Sequence, residues 1–250
     1  MIKDFIRAAC QKLVGFNTYL FIFSLVNSQR IRVGNYEKEF RYFMHMLPDE
    51  GAILDIGANI GIMSVALAKH RPLSTIYSFE PIPNNLRAME RVIRFYKLNN
   101  VWVFPIALGE ENSLVKMILP LVKKSKMQGL SHILTPVETQ HRGEIFSINM
   151  KRMDDIEELQ AINRITAIKM DVENFELYVL KGGEALIKKH KPVIYCELWD
   201  NNMRAPCFDF LRNFGYRVMI YQDGRLVNFT GQTAINFFFL PQDTHSTNAL

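Results

Sequence analysis

From residue 51 onward the chain alternates short apolar runs with longer stretches whose apolar positions recur every three or four residues. The short runs are residues 52–56 (AILDI), 75–79 (TIYSF), 101–104, 165–170, 193–198, 216–221 and 235–240. Near-continuous apolar segments of this kind suit strands covered on both faces. Between them, residues 60–70, 84–97 and about 175–190 have helical spacing; in the second, Leu86, Met89, Val92, Ile93 and Tyr96 fall on one side. Strands alternating with helices predict a parallel sheet with right-handed crossovers. One stretch breaks the alternation. Residues 113–119 and 144–149 read as strands, joined by a polar loop holding Lys123, Lys124, Lys126, Gly129 and His132. This predicts a hairpin insertion over about residues 113–149, of the kind that forms a lid or an acceptor wall.

Residues 1–47 read as a helical extension. Tyr36, Phe40, Phe43, Met44 and Leu47 build one apolar stripe, and Pro48 ends it because the residue before proline is pushed out of the helical region. Residues 13–26 (LVGFNTYLFIFSLV) are strongly apolar. They fall short of the roughly 20 residues needed to span a bilayer. Their length suits a signal sequence, but no small-x-small cleavage site follows, so a helix packed on the domain or resting on a membrane surface is expected. The domain proper then runs over residues 48–242, with a tail at 243–250.

Composition adds little to this picture. With 48% hydrophobic and 22% charged residues, the chain can bury a large core without staples. Its cysteines, Cys10, Cys196 and Cys207, form no C-x-x-C pair and no zinc-ligand spacing, which suggests a reducing, cytoplasmic setting and requires no metal. The net charge of +5 permits an anionic acceptor or a membrane surface without demanding either. No dense basic stripe interleaved with aromatics points to nucleic acid.

The chemistry concentrates where strands end. Asp55-Ile-Gly57-Ala58-Asn59-Ile-Gly61 closes the first strand and opens the first helix of the alternating region. Glycines let such a turn approach a ligand closely, and amides at a helix start are expected to face it. Glu80 ends the second strand about 20 residues on, where an acid accepts hydrogen bonds from ribose hydroxyls. The dinucleotide fingerprint has three glycines and no preceding acid; Asp55 would repel a pyrophosphate but suits a cationic ammonium group, such as the methionine end of S-adenosylmethionine. Asp171 and Glu173 follow the fourth strand and Glu197 ends the fifth. Acids gathered there raise one another's pKa values, which suits a general base. Bonding to backbone amides or to Lys169 is the plainer alternative for these acids. His132 and His141 lie in the insertion, where a solvated loop position is expected over a basic role. Trp102 and Trp199 read as packing residues, with Trp199 also near the acceptor side.

The segments ILDIGANIGIMSVAL, YSFEPIPNNLRAMERVIRFYKLNN, PIALGE, IKMDVENFELYVLKGGEALI and KPVIYCEL, in that order over about residues 50–240, resemble the FkbM family of S-adenosylmethionine-dependent methyltransferases. The resemblance implies an α/β fold with a seven-stranded Rossmann-like sheet, helices on both faces and an antiparallel last strand. It implies S-adenosylmethionine as cofactor and methylation of a hydroxyl oxygen on a sugar, glycan or small metabolite. By position it assigns Asp55, Gly57, Ala58, Asn59 and Gly61 to the methionine end, Glu80 to the ribose, and Pro81, Ile106 and Ala107 to the adenosine pocket. Asp171, Glu173 and Glu197 become the catalytic acids. Asn174 stands where the family usually has glycine; asparagine tolerates left-handed backbone angles, so the turn is expected to survive. A nucleic-acid methyltransferase, a non-catalytic binding protein that keeps the fold and a nicotinamide-dependent oxidoreductase are the competing readings. Residues 1–47 are left with three roles: capping the site, forming a homodimer, or touching a membrane through residues 1–30.

Overall fold

The computed structural model describes residues 2–32, 34, 37–122, 125–134 and 142–242. Tyr36, Lys123, Lys124, His141 and the 243–250 tail lie outside the described residues. The extension forms α1 (Ile2–Val14), α2 (Phe16–Arg32) and α3 (Lys38–Met46). The alternating region follows as β1 (Glu50–Ile56), α4 (Ile62–His70), β2 (Leu73–Phe79), α5 (Pro83–Tyr96) and β3 (Val101–Phe104). Then come β4 (Ala107–Leu108), β5 (Ser113–Val122), β6 (Ser125–Lys126), β7 (His132–Ile133) and β8 (Gly143–Lys151). The chain ends with α6 (Glu157–Gln160), β9 (Ile165–Met170), α7 (Glu176–Gly182), α8 (Glu184–His190), β10 (Val193–Glu197), α9 (Arg204–Asn213), β11 (Tyr216–Gln222), β12 (Arg225–Asn228) and β13 (Asn236–Pro241).

The main sheet runs β12-β11-β13-β10-β9-β1-β2-β3. Strands β3, β2, β1, β9 and β10 are mutually parallel, and β13 pairs antiparallel with both β10 and β11. The sheet has eight strands rather than the seven expected. The extra one, β12, folds back on β11 through Asp223 and Gly224, both with positive φ (51° and 87°), a turn whose twist matches a two-residue hairpin. The single helix expected over 175–190 is two, α7 and α8. A Cβ on Gly182 would sit 1.8 Å from the Gly109 carbonyl oxygen, so the backbone of this break packs directly on the β4–β5 loop.

Both faces of the sheet are covered. One face packs Leu54, Ile56, Ile168 and Met170 against Val179, Leu180, Leu186, Leu211 and neighbours. The other packs Ile53, Ile76, Tyr195 and Phe238 against the stripe of α3, Phe40, Phe43, Met44 and Leu47, all buried. Leu47 turns extended (ψ 148°) immediately before Pro48, ending the helix as the proline rule requires. The expected hairpin is present: β5 and β8 pair antiparallel from Ser113↔Met150 to Pro120↔Gly143, in a second, smaller sheet with β4, β6 and β7.

The apolar 13–26 stretch is split by Gly15 (φ 78°), and its two helical arms meet at 118°. Among the described residues no single helix is long and apolar enough to cross a membrane. Helix α2 packs on α4 and α5, burying Leu20, Ser24, Asn27 and Ile31 while leaving Ile22 and Val26 exposed.

Candidate functional site

A cleft of about 620 Å³, its mouth included, opens at the carboxyl ends of β1, β2 and β9. This is where open α/β sheets bind ligands. Its size falls in the usual range of roughly 300–1,000 Å³ for ligand pockets.

The glycine turn forms one wall. Gly57 has φ 73°, and a Cβ there would lie 1.8 Å from the Asp171 carbonyl oxygen, so only glycine lets the β1 and β9 turns pack together. Asn59 takes a left-handed angle (φ 52°) and lines the cleft beside Gly57. The expectation that the turn's amides face the ligand is not met. The Gly57 and Ala58 N–H groups both donate to the Phe79 carbonyl (3.1 and 3.0 Å), Asn59 N–H donates to Glu80 Oε2 (2.9 Å), and Gly61 N–H to Ala58 O (2.9 Å).

Asp55 also departs from its expected place. It is fully buried below the cleft floor, accepting from the Ser64 hydroxyl (2.5 Å), with Lys169 Nζ 3.4 Å away. Lys169 in turn donates to the Gly57 carbonyl (3.0 Å) and reaches Asp171 at 4.0 Å. Burial alone would lower the Lys169 pKa, but Asp55 first and then Asp171 hold it above its ordinary value. The Asp55–Lys169 pair is therefore a strut that fixes both turns from beneath. Ala58 and Gly61 likewise shape the turn and do not line the cleft.

At the far end of the cleft lies Glu80, buried at the end of β2. Its carboxylate accepts from Asn59 N–H, Ile82 N–H (2.8 Å) and Asn85 Nδ2 (3.1 Å). Burial nonetheless pushes it up to about 7 against the lowering effect of those donors. Phe79, Pro81, Ile82, Ile106, Ala107 and Leu108 give this end apolar walls. Asn85, which no sequence motif singles out, lies five residues beyond Glu80 in the first turn of α5. It is 1% exposed, lines the cleft, and its Oδ1 has no partner among the described residues; the same holds for Asn59 Oδ1. Orphaned buried acceptors in a cleft mark where ligand donors belong.

Asp171, Val172 and Glu173 line the other end. Glu173 and Asn174 both hold left-handed angles (φ 53° and 71°), so the turn survives asparagine and in addition carries a strained glutamate. Glu176, buried, fastens the turn by accepting from Val172 and Asn174 N–H (3.3 and 3.2 Å). Glu173 is raised to about 7 by burial, then by the charges of Asp171 and Glu197. Glu197, at the end of β10, does not line the cleft; it too is raised to about 7, by burial and then by Asp171, with Lys169 opposing. Glu37, from the extension, adds to that repulsion. Among the described residues, no trio of His, Cys, Asp and Glu is arranged to hold a metal ion.

The hairpin tip closes the mouth. Gln128, Gly129, Ser131 and Ile133 line the cleft, whereas His132 sets its Nδ1 2.9 Å from the Leu130 carbonyl. Helix α1 secures that tip: Gln11 Nε2 donates to the Lys126 carbonyl and Lys126 N–H donates back to Gln11 Oε1, both at 3.0 Å. Trp102 and Trp199, expected to pack, are 58% and 46% exposed, and neither lines the cleft.

An eight-stranded, mostly parallel sheet with a ligand cleft at its switch point defines a methyltransferase-like α/β protein. Residues 55–218 match the Methyltransferase FkbM domain, and the chain belongs to that family. It is 26% identical over 153 residues to Methyltransferase 1 of Beauveria bassiana, covering 56% of this chain and 61% of that one. It is 30% identical over 168 residues to Methyltransferase sdnD of Sordaria araneosa, covering 56% and 63%. The chain thus spans about three-fifths of these curated relatives. The crystal structure of Methyltransferase FkbM from Methylobacillus flagellatus KT has the same fold, with a TM-score of 0.55 at 20% identity, over 80% of this chain and 46% of that one.

Proposed function

We propose that this protein transfers a methyl group from S-adenosylmethionine to a hydroxyl oxygen on a sugar, glycan or small metabolite. The observation that carries the reading is the two-ended cleft: a buried, amide-fixed Glu80 with the orphaned acceptors of Asn59 and Asn85 at one end, and Asp171 with Glu173 at the other. The residues present fit the cofactor. Glu80 and Asn85 offer acceptors to a ribose diol, the Pro81–Ile106–Ala107 walls suit an adenine ring, and Asp171 beside Gly57 and Asn59 offers a carboxylate to an ammonium group. When bound, S-adenosylmethionine supplies a methyl group on a positively charged sulfur, an electrophile that needs little further activation.

The chain's own residues then have two tasks. The first is alignment, which is worth most in an in-line displacement. The second is removal of the acceptor proton. Glu173 and Glu197, each near 7, are poised to take that proton at neutral pH, where a carboxyl with an ordinary pKa would be a weaker base. The exclusion of water falls to the hairpin tip, held by α1.

The test is transfer of isotopically labelled methyl from S-adenosylmethionine to panels of glycans and hydroxylated metabolites. Incorporation into a hydroxyl, lost in Asp171→Asn and Glu173→Gln, supports the reading. Full activity in Glu173→Gln excludes Glu173 as the base, and full activity in Asp171→Asn excludes its carboxylate from holding the ammonium group.

A further inference from the structure

The outward face of α2 is apolar. Ile22 and Val26 stand one turn apart and exposed, Phe21 and Leu25 lie half-buried beside them, and the helix contains no acidic residue. At its amino end, Leu13 (83% exposed) and Val14 carry exposed apolar surface past the turn at Gly15. Helix α5 packs alongside and widens the surface: Phe95, 60% exposed, meets the Phe21 ring edge to face at 6.2 Å. Arg87, Arg91 and Arg94 follow one another along α5 at four- and three-residue spacing, which places them on one helix face. Arg91 lies 4.2 Å over the Phe21 ring, so this basic row adjoins the apolar face of α2. Glu90 is the single acid of α5. We propose that this surface docks the protein on an anionic lipid bilayer, with the α2 face and Phe95 entering the headgroup boundary and the arginine row meeting lipid phosphates.

The plainer explanation has two parts. Single exposed apolar side chains are ordinary on any protein, and cations at a helix end offset its dipole. Neither part covers what is seen. The apolar residues are neighbours on two packed helices, with two aromatic rings in contact between them. Arg94 lies in the last turn of α5, but Arg87 and Arg91 do not, so the dipole does not account for the row. A second copy of this chain would bring the same cations to the interface, where like charges repel; anionic headgroups complement them. Among the described residues no single helix is long and apolar enough to cross a membrane, so α2 lies on the bilayer rather than spanning it. Apolar insertion and attraction to anionic lipid act together in such binding.

The experiment is co-sedimentation of the full chain with vesicles of phosphatidylcholine alone and of phosphatidylcholine with phosphatidylglycerol. The site predicts retention on the anionic vesicles that weakens as salt rises, and little retention on the neutral ones. Arg87→Gln/Arg94→Gln should weaken retention by about 10–30-fold. Ile22→Ser/Phe95→Ser should abolish it. Arg217→Gln/Arg225→Gln removes the same charge from exposed positions on β11 and β12, and should stay within a few-fold of the wild type. Thermal midpoints verify that each variant is folded. The proposal is overturned by a wild type that stays in solution, by patch variants that bind as the wild type does, or by an equal loss in the β11–β12 variant. Self-association that Ile22→Ser/Phe95→Ser disrupts, with no vesicle retention, assigns the face to a second copy and also overturns it. The assay contains no S-adenosylmethionine, so its outcome stands or falls separately from the methyltransferase reading.

Discussion

Glu80 and Glu173 sit at opposite ends of one cleft and reach the same pKa, about 7, in both cases chiefly through burial. Their surroundings differ in every other respect. Glu80 accepts three N–H donors and sits on relaxed backbone at a strand end. Glu173 stands on a left-handed turn, repelled by Asp171 and Glu197, and no described residue donates to its carboxylate. On the function proposed above, the same shift would serve two roles. A carboxylate already oriented by amides is an anchor, fixed before the ligand arrives. A carboxylate raised by burial and like charge, with its lone pairs unused, is ready to receive a proton. The strain at Glu173 is consistent with a position held for chemistry rather than for stability.

The sharpest way to break this comparison is to neutralise the reactive end alone. Glu173→Gln should lower turnover by roughly 10²–10⁴ while leaving cofactor affinity within a few-fold, measured as kcat beside a direct binding constant. Equal loss of both would make Glu173 a second anchor. Next in size is the strut beneath both turns. Lys169→Met leaves Asp55 buried and uncompensated, which should cost about 3–5 kcal/mol in denaturant unfolding. A loss below about 1 kcal/mol would mean that the pair contributes little to holding the turns.

A subtler test uses the coupling among the acids. A base must be ionised, so the rate should rise as pH increases through about 7. Glu197 raises the Glu173 pKa, so Glu197→Gln removes a repelling charge and the rising limb should move to lower pH. A limb that stays in place would show that another group governs it. The smallest effect belongs to Asn174. Asn174→Gly should change stability by less than about 1 kcal/mol, since glycine accepts the same φ of 71°. Asn174→Val should cost about 1–2 kcal/mol.

How much of this was legible in the sequence depended on whether the signal was local. Strands β1, β2, β3 and β9 and their helices announce themselves through apolar runs and three-to-four spacing. The acids at strand ends follow from those boundaries. Asp55 was misplaced because its partner Lys169 lies 114 positions away, and only the β1–β9 pairing brings them together. The turn amides were misjudged for a similar reason: the Phe79 carbonyl that engages two of them belongs to the next strand. Asn85 is within reach of local pattern, five residues after Glu80 in the first turn of a helix beside the same cleft. The Asp-Gly pair at 223–224 is a hairpin signal that would have located β12. The clasp between Gln11 and Lys126 left no trace in local pattern at all.

The central claim is that the Glu80 end of the cleft holds the nucleoside of S-adenosylmethionine. It is tested most directly by calorimetric titration of S-adenosylhomocysteine into the wild type and Glu80→Ala. The account predicts micromolar binding by the wild type that is lost in a folded Glu80→Ala protein. Equal binding by both, or none by a well-folded wild type, would contradict it.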